Sequence, residues 1–292
     1  MCGIVGYVGN EAPQGIIIEG LKKLEYRGYD SAGIAVVNDG KIKLRKHVGE
    51  IVNLEKLIGN ENLGGHVGIG HTRWATHGAP SDVNSHPHMS NDNRIALVHN
   101  GTVENYVEIR EQLEKEGFTF KSDTDSEVAA VLFGKYYNEL GDLKATMDKV
   151  THEMTGTFAL AAIAEDQPEK FVAYRKNAPL IVGKGNGCNF VASDFSALLK
   201  YTKDVYLLET GDTVILTPDG VTIYDESGKE IKRETMHISW DESVAEKGKY
   251  EHFMLKEIFD QPKAIEETLD RNLSEDGRVS LYDMTLTKED FA

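Results

Sequence analysis

The chain has 292 residues, 40% hydrophobic and 27% charged, enough to bury a large core as one big domain or two small ones and without the bias of a disordered polymer. A balance of 32 basic against 48 acidic residues gives a net charge of −16. That charge argues against nucleic acid and anionic membranes as partners, while a local arginine pocket can still take a small anion. No run of about 18 apolar residues occurs, so no transmembrane helix is expected, and the N-terminus lacks the basic-then-apolar order of a signal peptide. Cys2 and Cys188 lie too far apart in the chain to suggest a disulfide framework and suit a reducing cytoplasm.

In chain order, CGIVGYVG reads as a strand beginning at the second residue, and a helix with Ile17, Leu21 and Leu24 on one face follows over Gln14 to Leu24. SAGIAVV and KIKLRKHVG form a hairpin about Asn38-Asp39-Gly40. A short helix over Asn53 to Ile58 and the strand HVGIGHTRWA come next, then a His-, Pro- and Asn-rich loop from Thr76 to Asn93. Ile95 to His99 is a short buried strand ending in a sharp turn at Asn100-Gly101. Helices are expected over Tyr106 to Glu116, Ser126 to Glu139 (capped by Asp123 or Asp125) and Leu143 to Val150. TFALAAIA, KFVAYRK, NFVASD, DVYLL, DTVILT and VTIYD are then short strands, giving an α/β (α+β) chain with mixed or antiparallel sheets. The pattern changes near Asp241. Polar residues and Gly248 lead into EHFMLKEIFDQPKAIEETLDR, a helix interrupted at Pro262, followed by a polar tail. Residues 1–240 are therefore expected to form the domain and 241–292 a linker helix that needs a partner.

Five local features can carry chemistry. Removal of Met1 would leave Cys2 with a free α-amine of pKa about 7.7–8.0, so one residue would hold both nucleophile and base. Arg27 and Gly28 close the first helix; they read either as a capped helix end or as a charge favouring the Cys2 thiolate. In HTRWATHG, Arg73 can clamp a carboxylate, with Trp74, Thr76 and His77 in the same loop. Asn100 and Gly101 offer a side-chain amide beside a backbone N–H, the two donors of an oxyanion hole, or simply a turn. In SDTDSE, Asp123 or Asp125 can cap a helix or pair with an ammonium group. His71, His77, His86 and His88 raise a metal site as an alternative, against which stand the lack of a nearby second thiol and of an H-E-x-x-H helix. Cys188, in a Gly- and Asn-rich turn, reads as structural.

The strings CGIVGY, EYRGYDSAG, HTRWATHG, NSHPH, HNGTVEN and TDSE, in that order, resemble the class II glutamine amidotransferases, a branch of the N-terminal nucleophile hydrolases, over nearly the whole chain. EYRGYDSAG and YEHFMLKEIFDQP resemble the members that use the ammonia to turn fructose 6-phosphate into glucosamine 6-phosphate. This resemblance implies a four-layer αββα sandwich. It implies that Cys2 is the nucleophile and its amine the base, and that Asn100 and Gly101 form the oxyanion hole. Arg73 would hold the α-carboxylate of L-glutamine and Asp125, ahead of Asp123, its ammonium. Trp74, Thr76 and His77 would line and cover the pocket, with Arg27 and Gly28 supporting the nucleophile. No cofactor or metal is implied. The isomerase half lies C-terminal to this segment in the family, so the chain should hydrolyse glutamine without making glucosamine 6-phosphate. Fructose 6-phosphate would bind only through that missing half, and the full-length enzyme would be a homodimer. The glutaminase domain of another class II amidotransferase, a metal-binding regulatory module on the histidine loop, and a catalytically silent binding domain are the competing readings.

Overall fold

The computed structural model describes residues 2–239, 250, 253–274 and 277–279. In chain order the first body contains β1 (Gly3–Gly9), α1 (Pro13–Lys23), β2 (Ser31–Asn38), β3 (Lys41–Val48), α2 (Ile51–Ile58), β4 (Val67–Arg73), β5 (His88–Met89) and β6 (Ile95–Val103). Then follow α3 (Tyr106–Lys115), α4 (Asp125–Leu140), α5 (Leu143–Glu153), β7 (Gly156–Ala164), β8 (Phe171–Lys176), β9 (Ile181–Lys184) and β10 (Cys188–Ala192). The last strands are β11 (Asp204–Leu207), β12 (Thr213–Leu216), β13 (Val221–Tyr224), β14 (Glu230–Ile231) and β15 (Met236–His237).

The strands form two sheets, ordered β15-β11-β9-β10-β1-β4-β2-β3 and β14-β13-β12-β8-β7-β6-β5. The named strand pairs are all antiparallel, and only some, such as the β2–β3 hairpin, are joined by short connections. Alternation along each strand splits its apolar side chains between two cores. On β1, Ile4 and Val8 face the second sheet while Val5 and Tyr7 face α1. On β6, Ala96 and Val98 join the core between the sheets while Ile95 and Leu97 pack under α4 and α5. Helices therefore cover one face of each sheet and the other two faces meet, which is the αββα sandwich expected. Small residues bring the sheets close: Ala96, Ala159, Ala161 and Ala173 line the inner face of the second sheet. Gly6 lies where a Cβ would touch the Phe171 ring at 3.0 Å.

The hairpin expected at Asn38-Asp39-Gly40 forms, with Asn38 opposite Lys41 and φ of 52° and 68° at Asp39 and Gly40. Several other expectations need correction. Asn100-Gly101 is no turn: β6 runs through it to Val103, paired throughout with β7. Gly101 adopts φ +116°, and a Cβ there would lie 2.0 Å from the Thr157 carbonyl oxygen, so glycine serves strand continuity and close approach rather than reversal. The cap of α4 is Thr124, whose hydroxyl accepts from the Glu127 N–H at 3.2 Å, because Asp125 already has helical geometry as the first residue. Helix α2 starts at Ile51 rather than Asn53, and the histidine-rich loop contains the short strand β5. Strands β9, β14 and β15 were not expected.

The chain divides into Met1–Val244 and Ala245–Ala292. The expected domain boundary at 240/241, the Gly248 lead-in and the tail beyond 279 lie outside the described residues, as does Met1. In the second unit, α6 (Phe253–Asn272) runs unbroken past Pro262. The proline removes one N–H, leaving the Ile258 carbonyl without its helical donor, but the turns on either side hold the helix together. Met254, Ile258, Phe259 and Ile265 are exposed on it.

Gly134 of α4 tests the packing of helix on sheet. Alanine there gains about 1 kcal/mol of helix propensity, but its Cβ would lie 2.3 Å from the Cβ of Ser90. Overpacking against a rigid atom costs about 1–3 kcal/mol. Gly134→Ala is therefore expected to lower stability in urea denaturation; an unchanged or higher midpoint would contradict the close seating of α4.

Candidate active site

The same alternation that builds the inner core also builds the site. Beyond Val67 and Ile69, the next inner-face positions of β4 are His71 and Arg73. Beyond Ala96 and Val98 on β6 comes Asn100, and ahead of Ile4 on β1 comes Cys2. Strands β1 and β4 pair with Gly3 opposite Thr72 and Ile4 opposite His71, so these polar residues collect at one end of the sandwich where the apolar core stops. Cys2, Arg73 and Asn100 open onto a cavity of about 360 Å³, at the small end of ordinary ligand pockets, with His71 buried behind them.

Of the residues assigned to the glutamine site from the sequence, all except Gly28 and Asp123 line this cavity; of the four loop histidines, His77 and His86 line it and His71 and His88 do not. The Trp74 N–H donates to Cys2 Sγ at 3.2 Å, and the thiol faces the Trp74 carbonyl at 3.5 Å. Burial pushes the thiol pKa up from its ordinary value; the Trp74 bond and the Arg73 charge pull it down, while Asp30 pushes it up. Gly28 contributes from behind. Its backbone is extended (φ −172°), and a Cβ would lie 2.6–2.9 Å from the Arg73 carbonyl and the Trp74 nitrogen. It is thus a close-approach glycine that lets the Glu25–Arg27 turn press against the strand end carrying Trp74. Arg27 is turned to Asp194, which it meets at 3.1 Å.

Arg73 is almost fully buried. Its Nη2 donates to the carbonyls of His77 and Gly78, while Nη1 is buried with no partner among the described residues, a cationic donor left at the cavity. Asp125 sits at the N-terminus of α4, where the helix dipole favours an anion, and its Oδ2 accepts from the Val103 N–H at 2.9 Å. Asp123 is exposed and bonded to Asn84. Asn100 Nδ2 donates to the Cys2 carbonyl at 3.1 Å, and an amide nitrogen retains a second N–H. Trp74 and Thr76 are exposed at the rim, Trp74 edge-on to Tyr29, and the His77 ring meets Tyr106 at 5.5 Å.

The histidines form a packed cluster with no metal geometry. His71 and His86 stack at 4.1 Å, and His86 meets His88 edge to face at 4.8 Å. The His71 Nε2 faces His99 and Asn100 oxygens, and the His88 Nε2 faces the Thr124 hydroxyl, so their ring nitrogens do not converge on one centre. Among the described residues no group of three metal-ligating side chains occurs. Sequence reasoning passed over His71 as a neighbour of Asn100, although its two-residue spacing from Arg73 was the available signal. Asn177, Ala178 and Pro179, which also line the cavity, left no such signal. They arrive from the end of β8, and only the sheet order brings them here.

The fold and this constellation define a glutamine amidotransferase domain of the N-terminal nucleophile type. Residues 71–200 match the family model described as Glutamine amidotransferase domain. It is 53% identical over 99% of its length to the glutamine–fructose-6-phosphate aminotransferase (isomerizing) of Clostridium perfringens. Identity to the proteins of the same name from Aquifex aeolicus and Methanosarcina acetivorans is 47% and 49%, over 96% and 99% of this chain. The chain spans about half the length of these relatives, 47–48%. Among solved structures it is similar to the glutamine phosphoribosylpyrophosphate amidotransferase of B. subtilis, with TM-score 0.67 and 27% identity, covering 78% of this chain and 50% of that one. The glutamine-hydrolysing chemistry foreseen from the motifs is that of this family. No helix among the described residues is long and apolar enough to cross a membrane.

Burial holds four histidines neutral: it pushes His71 down to about 3, His86 and His88 well below their ordinary value, and His99 down as well. These groups stay neutral in the folded chain but protonate in the unfolded chain near pH 6.5. Their stabilisation is therefore complete above pH 6.5 and is lost as pH falls below it, for His71 down to about 3 at up to about 1.4 kcal/mol per pH unit. Denaturation midpoints should drop steeply between pH 6.5 and 5; a flat profile there would contradict a neutral, buried cluster.

Proposed function

We propose that Cys2, freed by removal of Met1, is the nucleophile that releases ammonia from L-glutamine, in a chain whose full-length counterpart passes that ammonia to fructose 6-phosphate. The observation that carries the reading is the convergence, in one cavity, of the Cys2 thiol, the Asn100 amide, the unpaired Arg73 Nη1 and the Asp125 carboxylate. Arg73 takes the substrate α-carboxylate and Asp125 its ammonium, which fixes free glutamine rather than a peptide with its side-chain amide over Cys2.

The thiol passes its proton to the α-amine as Sγ bonds to the glutamine Cδ. The carbonyl π-pair moves to oxygen, where the second Asn100 N–H and the Gly101 N–H receive it. Collapse breaks the C–N bond, and the α-ammonium returns a proton to the leaving ammonia. Water then attacks the γ-glutamyl thioester by the same route and releases glutamate. The reaction so written uses no cofactor and no metal. Trp74, Thr76 and His77 form the rim that excludes water, and Gly28, with Arg27 behind it, holds the Trp74 N–H against the sulfur. Residues 1–240 form the glutaminase domain and 241–292 lead toward the isomerase half present in the longer relatives. Fructose 6-phosphate binding and homodimer formation belong to that half. The cysteines, both free thiols, suit a cytoplasmic setting.

Cys2→Ala is expected to abolish glutamate release measured in a coupled assay; substantial residual glutaminase activity would sink the assignment. Arg73→Lys keeps the charge but loses the planar fork. It is expected to raise the KM for glutamine by about tenfold or more, with kcat within a few-fold. A change in kcat alone would remove Arg73 from substrate binding.

A further inference from the structure

We propose that His71, held neutral with its proton on Nε2, is the positioning residue that fixes the orientation of the Asn100 amide and thereby aims its N–H at the developing oxyanion. The inference rests on the reading of Asn100 given under Proposed function and adds the group that makes it work.

His71 is completely buried on β4, and its Nε2 lies 3.1 Å from the His99 carbonyl oxygen and 2.9 Å from Asn100 Oδ1. A backbone carbonyl can only accept, so Nε2 carries the hydrogen and shares it between the two oxygens. That choice propagates. If the Asn100 amide were flipped, its NH₂ would face an N–H on His71 and its oxygen would face the carbonyl of Cys2, giving two repulsions in place of two bonds. The His99 carbonyl thus sets the tautomer of His71, and the tautomer sets the amide. With Oδ1 committed to His71 and one N–H to Cys2 at 3.1 Å, the second N–H is the donor left at the cavity. The ring itself is held by His86, stacked on it at 4.1 Å. Burial also keeps His71 uncharged, so it adds no cation that would compete with Arg73 for the substrate carboxylate.

The same bonds join the sheets. His71 belongs to the sheet that carries Cys2, and Asn100 to the opposite one. A donor that must lie within a few tenths of an ångström of the reacting oxygen is therefore tied to the nucleophile's own sheet.

Five variants of the Met1-processed chain test this: His71→Leu, His71→Gln, His71→Asn, Asn100→Ala and His71→Leu combined with Asn100→Ala. Loss of one oxyanion donor lowers kcat by about 10²–10³-fold. His71→Leu is expected to lower kcat by about 10- to 100-fold with KM within about threefold. The rate of Cys2 alkylation by iodoacetamide, which needs the thiolate but no oxyanion hole, should be unchanged. The double variant should be no slower than Asn100→Ala alone, since His71 acts through that amide. A glutamine amide reaches the place of Nε2 and an asparagine amide only that of Nδ1, so His71→Gln should recover most of the rate and His71→Asn should not. That comparison stands even if the leucine variant does not fold. Losses that multiply in the double variant, alkylation that falls in step with kcat, or equal rates for the glutamine and asparagine variants would each overturn the proposal. Cys2→Ala is run alongside: if it kept activity, the reading of the site itself would fail, whereas an inactive Cys2→Ala with any of those outcomes removes His71 alone.

Discussion

Three hydrogen bonds cross from one sheet to the other where the inner core gives way to the cavity: His71 to the His99 carbonyl and to Asn100, and Asn100 to the carbonyl of Cys2. Each has a geometric prerequisite in strand parity. A strand presents every second side chain to the same face. The positions that carry Ile4, Ile69 and Val98 into the dry interior therefore also carry Cys2, His71, Arg73 and Asn100 to its mouth. A one-residue slip of β1 against β4 would turn Cys2 away from the other sheet, along with every apolar partner of Ile4. The energy that fixes the register of the core is thus the energy that places Cys2. Cys2, Arg73 and Asn100 need no separate scaffold, only positions where the alternation of apolar residues ends; α4 and the loops after β4 and β8 supply the rest of the cavity.

That dependence explains what was legible in the sequence. The strands from β1 to β4, the Asp39-Gly40 hairpin and the helices α3 to α5 are encoded by local periodicity and turn chemistry, and they formed as read. Cys2, Arg73 and Asn100 were visible because each sits in a short string whose residue types already suggest a role. What was hidden is what only sheet order decides. Nothing near Asn177 to Pro179 signals that β8 will deliver them to the cavity. The edge strands β14 and β15, two residues each, are too short to leave a pattern.

Asn100-Gly101 misled for an instructive reason. Locally Asn-Gly favours a turn, but nine consecutive pairings with β7 hold it extended, and the glycine is spent on the close passage of Thr157. Tertiary pairing overrode a strong local preference at the position where the site needs a backbone N–H beside an amide. Pro262 shows the same ordering of effects: one lost hydrogen bond does not end a helix with intact turns on both sides. Conflicts between local preference and observed structure mark places where a longer-range demand is being met, and at Gly101 that demand is the cavity wall.

The raised pKa of the Cys2 thiol bears on how the proposed nucleophile would be kept safe. A permanent thiolate beside an open rim would be a target for oxidation, since the thiolate is the form that enters the sulfenic-acid ladder. Here burial outweighs the Trp74 bond and the Arg73 charge, so the resting group is the thiol. In the proposed reaction, bound glutamine would change that balance. Its carboxylate would neutralise Arg73, its ammonium would neutralise Asp125, and its amide carbon would give the sulfur somewhere to go as the proton leaves. The acceptor for that proton exists only after Met1 is gone, because an amide nitrogen in a peptide bond is no base. On the proposed mechanism, activation is coupled to two conditions, a processed terminus and a filled cavity.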